Sequence, residues 1–367
     1  MVSIYPTARL RPSPFYESAL ADGLVTATIY NRMILPVSYG HPAEEYWRII
    51  NGVSMWDVGV QRQVQITGRD AGELVQVLSP RDLSKCKIGQ GKYVPLCNHK
   101  GVLINDPIIL KLDEDRFWLS IADSDILSWG QAIASERGLN VELQEPDVSP
   151  LAVQGPKAED VVASLFGDWI RDIKYFWFKE TELEGIPVAV QRSGWSKQGG
   201  FEIYLKDKRK GNKLWNLVKE AGRPFDIGPG APVTAERTES GLVSVGGDSD
   251  DTTNPFEVRM GKYVDLYVPD NVVGIQALRK IATDGPLRHQ LGLILEGSVH
   301  DPLNFYWEPI ILGDKKVGDM TNCIWSPRMK KNIGYGLLSV SISPGDEVVV
   351  KRESGSVTAQ VIELPFF

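Results

Sequence analysis

Apolar residues recur along this chain at two spacings, and stretches of each kind alternate. Gln63-Val-Gln-Ile-Thr67 puts an apolar side chain at every second position, the period of a half-buried strand. Gly68-Arg-Asp70 breaks that period. Ala71–Leu78 then has helical spacing, with Asp70 placed to cap its first turn. The same reading predicts strands at 93–96, 108–112 and 117–121, and helices at 43–50 and 124–135. Residues 151–157 read as a strand closing on a Gly-Pro turn, followed by a helix over Ala158–Phe166. Strands at 188–191 and 201–205 are separated by a Gly-rich loop, and 213–221 is helical. The Pro- and Gly-rich run 224–232 reads as loop. Sheet and helix interleaved in this way predict an α+β fold.

Beyond Thr283 the pattern changes. Short β-prone runs follow one another at 291–295, 309–312, 317–320, 335–340, 347–351 and 357–362, with no helix between them. Even spacing of such runs predicts a small β-barrel or sandwich, so a boundary falls at 283/284.

Composition narrows the classes. The chain has 367 residues, of which 43% are hydrophobic and 24% charged, enough for two or three domains with a sizeable core. The net charge of -7 argues against a nucleic-acid partner, which selects for a basic face. No apolar run reaches the roughly 20 residues of a membrane helix. The opening 1–14 shows no apolar core of a secretory signal. Cys86, Cys97 and Cys323 are odd in number and far apart, which predicts neither a disulfide framework nor structural zinc and suits the cytoplasm. His41, His99, His289 and His300 form no metal-binding spacing, so no metal is expected.

Three phrases carry more specific information: Trp56-Asp-Val-Gly-Val60 leading into Ile66-Thr-Gly-Arg-Asp-Ala71; Gly194-Trp-Ser-Lys-Gln-Gly-Gly-Phe-Glu-Ile-Tyr204; and Gly318-Asp-Met-Thr-Asn-Cys-Ile-Trp-Ser-Pro327. In this order they resemble the glycine-cleavage T-protein family. Within it, Ile29-Tyr-Asn-Arg-Met33, Pro80-Arg-Asp-Leu-Ser84, Asn105-Asp-Pro107 and Ser120-Ile-Ala-Asp-Ser-Asp125 are most similar to the dimethylsulfoniopropionate demethylases. The resemblance implies three domains in a ring, ending in a β-barrel. Residues 1–52 and 145–283 would form a discontinuous folate-binding domain, 53–144 an inserted α+β domain, and 284–367 the barrel. It implies transfer of a methyl group from a small onium donor, dimethylsulfoniopropionate first, to N5 of tetrahydrofolate. A T-protein aminomethyltransferase, a demethylase of another methylated donor and a folate binder without turnover stay open, as do monomer and homodimer.

Site residues follow partly from the residues and partly from the resemblance. Glu202 lies in the alternating run Phe201-Glu-Ile-Tyr204, where the ordinary expectation is a solvent-facing glutamate. The resemblance makes it the pterin-binding carboxylate, whose two oxygens match the paired N–H donors of a pterin edge. Asp106, between Asn105 and Pro107, reads as a turn residue. By resemblance it is the catalytic aspartate close to the reacting nitrogen of folate. Arg237, in Glu236-Arg-Thr-Glu-Ser-Gly-Leu242, reads as half of a helix-surface pair with Glu239 and by resemblance reaches folate. Trp195 is a candidate for folate and donor alike. Trp195, Tyr204 and Tyr30 supply aromatic faces suited to a sulfonium cation, and Lys197, otherwise a solvated loop lysine, a charge for a donor carboxylate or the glutamate tail of folate. Trp195 and Tyr204 are also open to ordinary core roles, the commoner fate of a strand aromatic, and Tyr175-Phe-Trp-Phe178 favours core. Val245-Gly-Gly-Asp248 departs from the family's Tyr-Gly-Asn-Asp phrase.

Overall fold

The computed structural model describes residues 7–298 and 306–367. Part of the opening read for a leader, and His300, lie outside the described residues. The chain divides into two compact units. One holds residues up to Leu74, Lys85–Lys92 and Pro107–Val233; the other holds Val75–Ser84, Tyr93–Asp106 and Thr234–Phe367.

In the first unit a six-stranded sheet runs in the order Phe178–Leu183, Ile186–Gln191, Gly200–Leu205, Ser149–Gln154, Ser54–Asp57, Gly228–Gly230. Alternation along Gly200–Leu205 decides what each face does. Phe201, Ile203 and Leu205 join Val161, Leu214, Trp215 and Val218 in a core covered by the helices Ala158–Phe166 and Gly211–Gly222. The even positions, Glu202 and Tyr204, point the other way, and the Tyr204 ring packs among Leu110, Trp118, Val148 and Phe178. A second sheet, in the order Glu142–Gln144, Gln63–Thr67, Arg116–Ser120, Ile108–Asp113, Gly91–Tyr93, supplies Trp118 and Leu110.

In the second unit the six strands Arg288–Leu295, Glu308–Leu312, Lys315–Ser326, Lys331–Ser339, Glu347–Arg352 and Gly355–Ile362 close into a barrel around Leu293, Ile310, Met320, Leu338 and Val350. The run expected at 317–320 is much longer, because Lys315–Ser326 pairs with Lys331–Ser339 almost throughout.

Several local expectations are changed by pairing. The helices Ala71–Leu78 and Ala158–Phe166 and the strand Gln63–Thr67 have the predicted bounds. Asp70 does not spend its carboxylate on a cap: Oδ2 accepts from the Asn140 N–H at 2.8 Å, and Arg69 donates to Oδ1 at 3.0 Å. The strand expected at 93–96 is broken by Pro95 into Gly91–Tyr93 and Leu96–Cys97. The loop expected at 224–232 contains Gly228–Gly230, paired in parallel with Ser54–Trp56. Glycine suits that edge because a Cβ on Gly230 would stand 2.3 Å from Ser54 Oγ. Ser54–Asp57 falls just past the 52/53 boundary drawn from sequence, yet it is an interior strand of the six-stranded sheet, bonded to Ser149–Gln154 and Gly228–Gly230. Among the described residues no helix is long and apolar enough to cross a membrane.

Candidate functional site

Glu202 is only 2% exposed, although among the described residues no cation pairs with it. The strand register explains its setting. Gln191 lies directly across from Glu202 on one side and Ala152 on the other, and Tyr204 shares its face two residues on. Ser193 Oγ donates to Glu202 Oε2 at 2.5 Å, and the Tyr204 hydroxyl stands 3.4 Å from the same oxygen. Among the described residues nothing donates to Oε1. Burial raises the Glu202 pKa, and the Ser193 and Tyr204 hydroxyls pull against that. A solvent-facing strand glutamate, the ordinary expectation, is therefore not what the fold builds.

The Gly-rich loop that ends at this strand is wrapped around Gln154, which is fully buried. Gln154 Nε2 donates to the Ser193 carbonyl at 2.9 Å, and Ser196 Oγ donates to Gln154 Oε1 at 2.8 Å. Gly194 has φ +147°, and a Cβ there would lie 2.0 Å from Gln154. This loop presents Trp195, half-buried, and Lys197, exposed. Tyr30 is half-buried at the end of the strand Thr26–Tyr30. Tyr204 is different: its ring is fully buried against Trp118, centroids 6.3 Å apart. Of the two readings open at Tyr204, the structure takes the core one for the ring, which leaves no exposed face for a donor. The run Tyr175-Phe-Trp-Phe178 is divided, with Tyr175 61% exposed and Phe178 in the core.

Asp57, in the first of the three phrases, is also fully buried. Its Oδ2 accepts from Ser13 Oγ at 2.5 Å and its Oδ1 from the Gly59 N–H at 3.0 Å. Burial outweighs these bonds and pushes its pKa up to about 6.

In the second unit Asp106 is half-buried, and Oδ2 accepts from the Tyr93 hydroxyl at 2.7 Å. Tyr93 is steadied by an edge-on contact with Tyr263, centroids 5.1 Å apart. Enclosure of the carboxyl pushes the Asp106 pKa up to about 7, with the Tyr93 bond opposing it. Nothing in the sequence marks Tyr93 as Asp106's partner, thirteen residues away.

Arg237 and Glu239 are buried rather than on a helix surface, and each has an ion pair with a residue outside the helix. Arg237 pairs with Asp248 at 2.5 Å, and Glu239 pairs with Arg328 at 2.5 Å while accepting from Ser326 Oγ at 2.5 Å. Asp248 also accepts from the Ser244 N–H at 2.8 Å and from Thr321 Oγ1 at 3.1 Å. The departing phrase Val245-Gly-Gly-Asp248 thus keeps Asp248, the carboxylate that pairs with Arg237. The third phrase supplies Asn322 and Ser326, which bond Thr238 and Glu239 of the short helix Thr234–Glu239, and Thr321, which bonds Asp248.

These features meet a family description over most of the chain. Residues 15–267 match the GCVT N-terminal domain, and residues 288–367 match the glycine cleavage T-protein C-terminal barrel domain. The chain belongs to the glycine-cleavage T-protein family. Among T-protein relatives, it is 40% identical over 356 residues to dimethylsulfoniopropionate demethylase DmdA of Ruegeria pomeroyi, covering 97% of each chain. It is 30% identical to an aminomethyltransferase of Symbiobacterium thermophilum, covering 98% of this chain and 97% of the relative. The glycine cleavage system aminomethyltransferase T of Bartonella henselae has the same fold, with a TM-score of 0.84 at 22% identity over 97% of this chain and 98% of that one. The T-protein fold expected from sequence, with its closed C-terminal barrel, is the fold observed. Among the described residues no group of three or more His, Cys, Asp or Glu is placed to hold a metal ion.

Buried Asp57 gives this site a pH signature. Its folded pKa of about 6 lies above the value near 3.9 of an unfolded aspartate, so the native state holds the proton more tightly. The associated stability is fully present below about pH 4 and is lost as pH rises through about 6. Asp57→Asn removes the group. In urea melts the wild type is expected to lose about 2–3 kcal/mol more than Asp57→Asn between pH 4 and 7.5. Parallel stability curves for the two proteins would contradict the assignment.

Proposed function

We propose that the protein is a tetrahydrofolate-dependent demethylase that takes a methyl group from a small onium donor, dimethylsulfoniopropionate first. Glu202 carries the folate half of this reading. A buried carboxylate with one oxygen already bonded and the other without a donor fits an edge bearing two adjacent N–H groups, as a pterin has. The donor half rests on the 40% likeness, across 97% of both chains, to the dimethylsulfoniopropionate demethylase of Ruegeria pomeroyi.

Bound tetrahydrofolate supplies N5 as the methyl acceptor. The protein's own groups orient and shield. Glu202 fixes the pterin edge. Asp106 is assigned to the region of N5, where Oδ1 takes the proton released as the methyl arrives; a pKa of about 7 suits that exchange near neutrality. The C–S bond breaks with its electron pair left on sulfur, so the donor departs as a neutral thioether carboxylate. Attack on a sulfonium disperses positive charge, and water-excluding aromatic walls favour such a change. Trp195 and Tyr30 are assigned to the cation, Lys197 to the donor carboxylate, and Arg237, fixed by Asp248, to folate. The largest contribution is alignment of donor and acceptor, because an in-line displacement asks little else of the protein.

The direct test is to incubate the protein with tetrahydrofolate and one donor at a time, and to read products by mass. The donors are dimethylsulfoniopropionate, other onium and methylamine compounds, and an aminomethyl-lipoyl carrier protein. Equimolar 5-methyltetrahydrofolate and methylthiopropionate are expected from dimethylsulfoniopropionate, without added metal or redox cofactor. Ammonia and methylenetetrahydrofolate from the carrier alone, or no one-carbon product from any donor, would overturn the proposal. Glu202→Ala should weaken tetrahydrofolate binding by about 1.5–3 kcal/mol, the scale of a hydrogen bond to a charged group. Calorimetry on the folded variant checks this, and unchanged affinity would move the pterin elsewhere.

A further inference from the structure

We propose that Ser193 is a positioning residue for Glu202: with Gln191 and Tyr204 it forms a buried hydroxyl–amide network that presents Glu202 Oε1 solely as an acceptor to the folate pterin. The proposal rests on the reading of Glu202 as the pterin carboxylate, and it concerns how that carboxylate is kept ready.

Counting hydrogens shows what the network does. Beyond the Ser120 hydroxyl, which bonds the Tyr204 hydroxyl and accepts from Gln63 Nε2, four oxygens meet around Glu202: Ser193 Oγ, Tyr204 Oη, Gln191 Oε1 and Glu202 Oε2. Two are hydroxyls with one hydrogen each, and two are pure acceptors when Glu202 is ionised. Ser193 Oγ stands 2.5 Å from Glu202 Oε2 and 3.1 Å from Gln191 Oε1. Tyr204 Oη stands 3.0 Å from Gln191 Oε1 and 3.4 Å from Glu202 Oε2. Taking the shorter contact of each hydroxyl satisfies both acceptors: the Ser193 hydrogen goes to Glu202 and the Tyr204 hydrogen to Gln191. The Gln191 amide is set the right way round, since its Nε2 stands 3.4 Å from the Phe176 carbonyl that accepts from it.

That arrangement discriminates between the two protonation states of Glu202. An ionised carboxylate leaves every hydrogen in the network used and Oε1 free to accept. A protonated one must either turn the Ser193 hydrogen away to Gln191 Oε1 at 3.1 Å, an oxygen that Tyr204 already serves, or carry its proton on Oε1, where it meets the donors of the pterin. Burial pushes the group toward its neutral form. The Ser193 hydroxyl is the nearest group opposing it. The remaining titratable group that faces Glu202 among the described residues is Tyr204, on the same strand, and burial beside Glu202 keeps its hydroxyl protonated and donating. The flanking strands present Gln191 and Ala152 opposite Glu202, neither of which titrates. The loop geometry adds to this: the Ser193 carbonyl is held by Gln154 Nε2 at 2.9 Å, so Ser193 is fixed from its backbone as well as through its hydroxyl.

Three proteins separate this from a packing role: wild type, Ser193→Ala and the hydroxyl-restoring Ser193→Thr. Two readouts are needed. The first is the titration of Glu202 in the ligand-free protein, followed by carboxyl carbon resonances of labelled glutamate and assigned with Glu202→Gln. The second is tetrahydrofolate affinity by calorimetry from pH 5 to 9. Ser193→Ala is expected to move the Glu202 titration to higher pH. It should also lower folate affinity about tenfold at neutral pH, as for one lost hydrogen bond to a charged group. The loss should shrink as pH rises past the shifted titration, and Ser193→Thr should restore both properties. An unmoved Glu202 titration, or a loss of affinity equal at every pH, would overturn the proposal. If the wild type bound no folate, the functional reading would fall, while the titration would still decide whether Ser193 governs Glu202.

Discussion

A carboxylate held inside a sheet with no cation beside it is the constraint on which the first unit turns. Glu202 is 2% exposed, and its compensation comes from hydroxyls rather than from charge. An arginine partner would neutralise it and occupy the oxygen that a ligand needs. Hydroxyls offset part of the burial cost on one oxygen and leave the other. Such a solution needs rigid surroundings, and the strand supplies them. Phe201, Ile203 and Leu205 anchor one face in the helix-covered core, while Tyr204 anchors the other among Trp118 and Leu110. A register slip of one residue would exchange the faces and place a carboxylate in the apolar core.

The second unit handles buried charge in the opposite way. Arg237 meets Asp248 and Glu239 meets Arg328, both inside the protein, so each carboxylate has a guanidinium. Pairs of this kind fix geometry more than they add stability, since desolvation offsets much of their attraction. Here they tie the short helix Thr234–Glu239 to the strand Lys315–Ser326: Ser326 bonds Glu239 directly, and Thr321 bonds Asp248, the partner of Arg237. Asp106 stands between the two regimes. It has a hydroxyl partner, Tyr93, and a pKa of about 7, so it can exchange a proton near neutrality where a paired aspartate could not.

Much of this is legible in the amino-acid sequence, and the reasons for the rest are physical. Gln63–Thr67, Ala71–Leu78 and Ala158–Phe166 carry a clean period because each has one buried face, and their bounds match. Ser54–Asp57 is buried at every position and Gly228–Gly230 has almost no side chains, so neither shows a period. Their pairing, not their composition, makes them strands. At the site, Glu202, Asp106 and Arg237 stand out in the sequence through phrases shared with the T-protein family. Their partners do not. Ser193, Tyr93 and Asp248 lie nine, thirteen and eleven residues from the groups they hold, at distances that only strand register and loop path determine. Tyr204 shows the limit of reasoning from residue type. An aromatic beside a Gly-rich loop suits a cation, but its position in the strand gives the ring to the core and only the hydroxyl to the site.

The central claim is that Glu202 is a preset acceptor for a pterin edge. A crystal structure of the complex with tetrahydrofolate tests it most directly. The account predicts the pterin ring N–H and its exocyclic amine within about 2.7–3.0 Å of the two Glu202 oxygens, as in other charge-assisted pairs. Ser193 should still be bonded to Oε2. A pterin bound elsewhere, with Oε1 still lacking a donor, would contradict it.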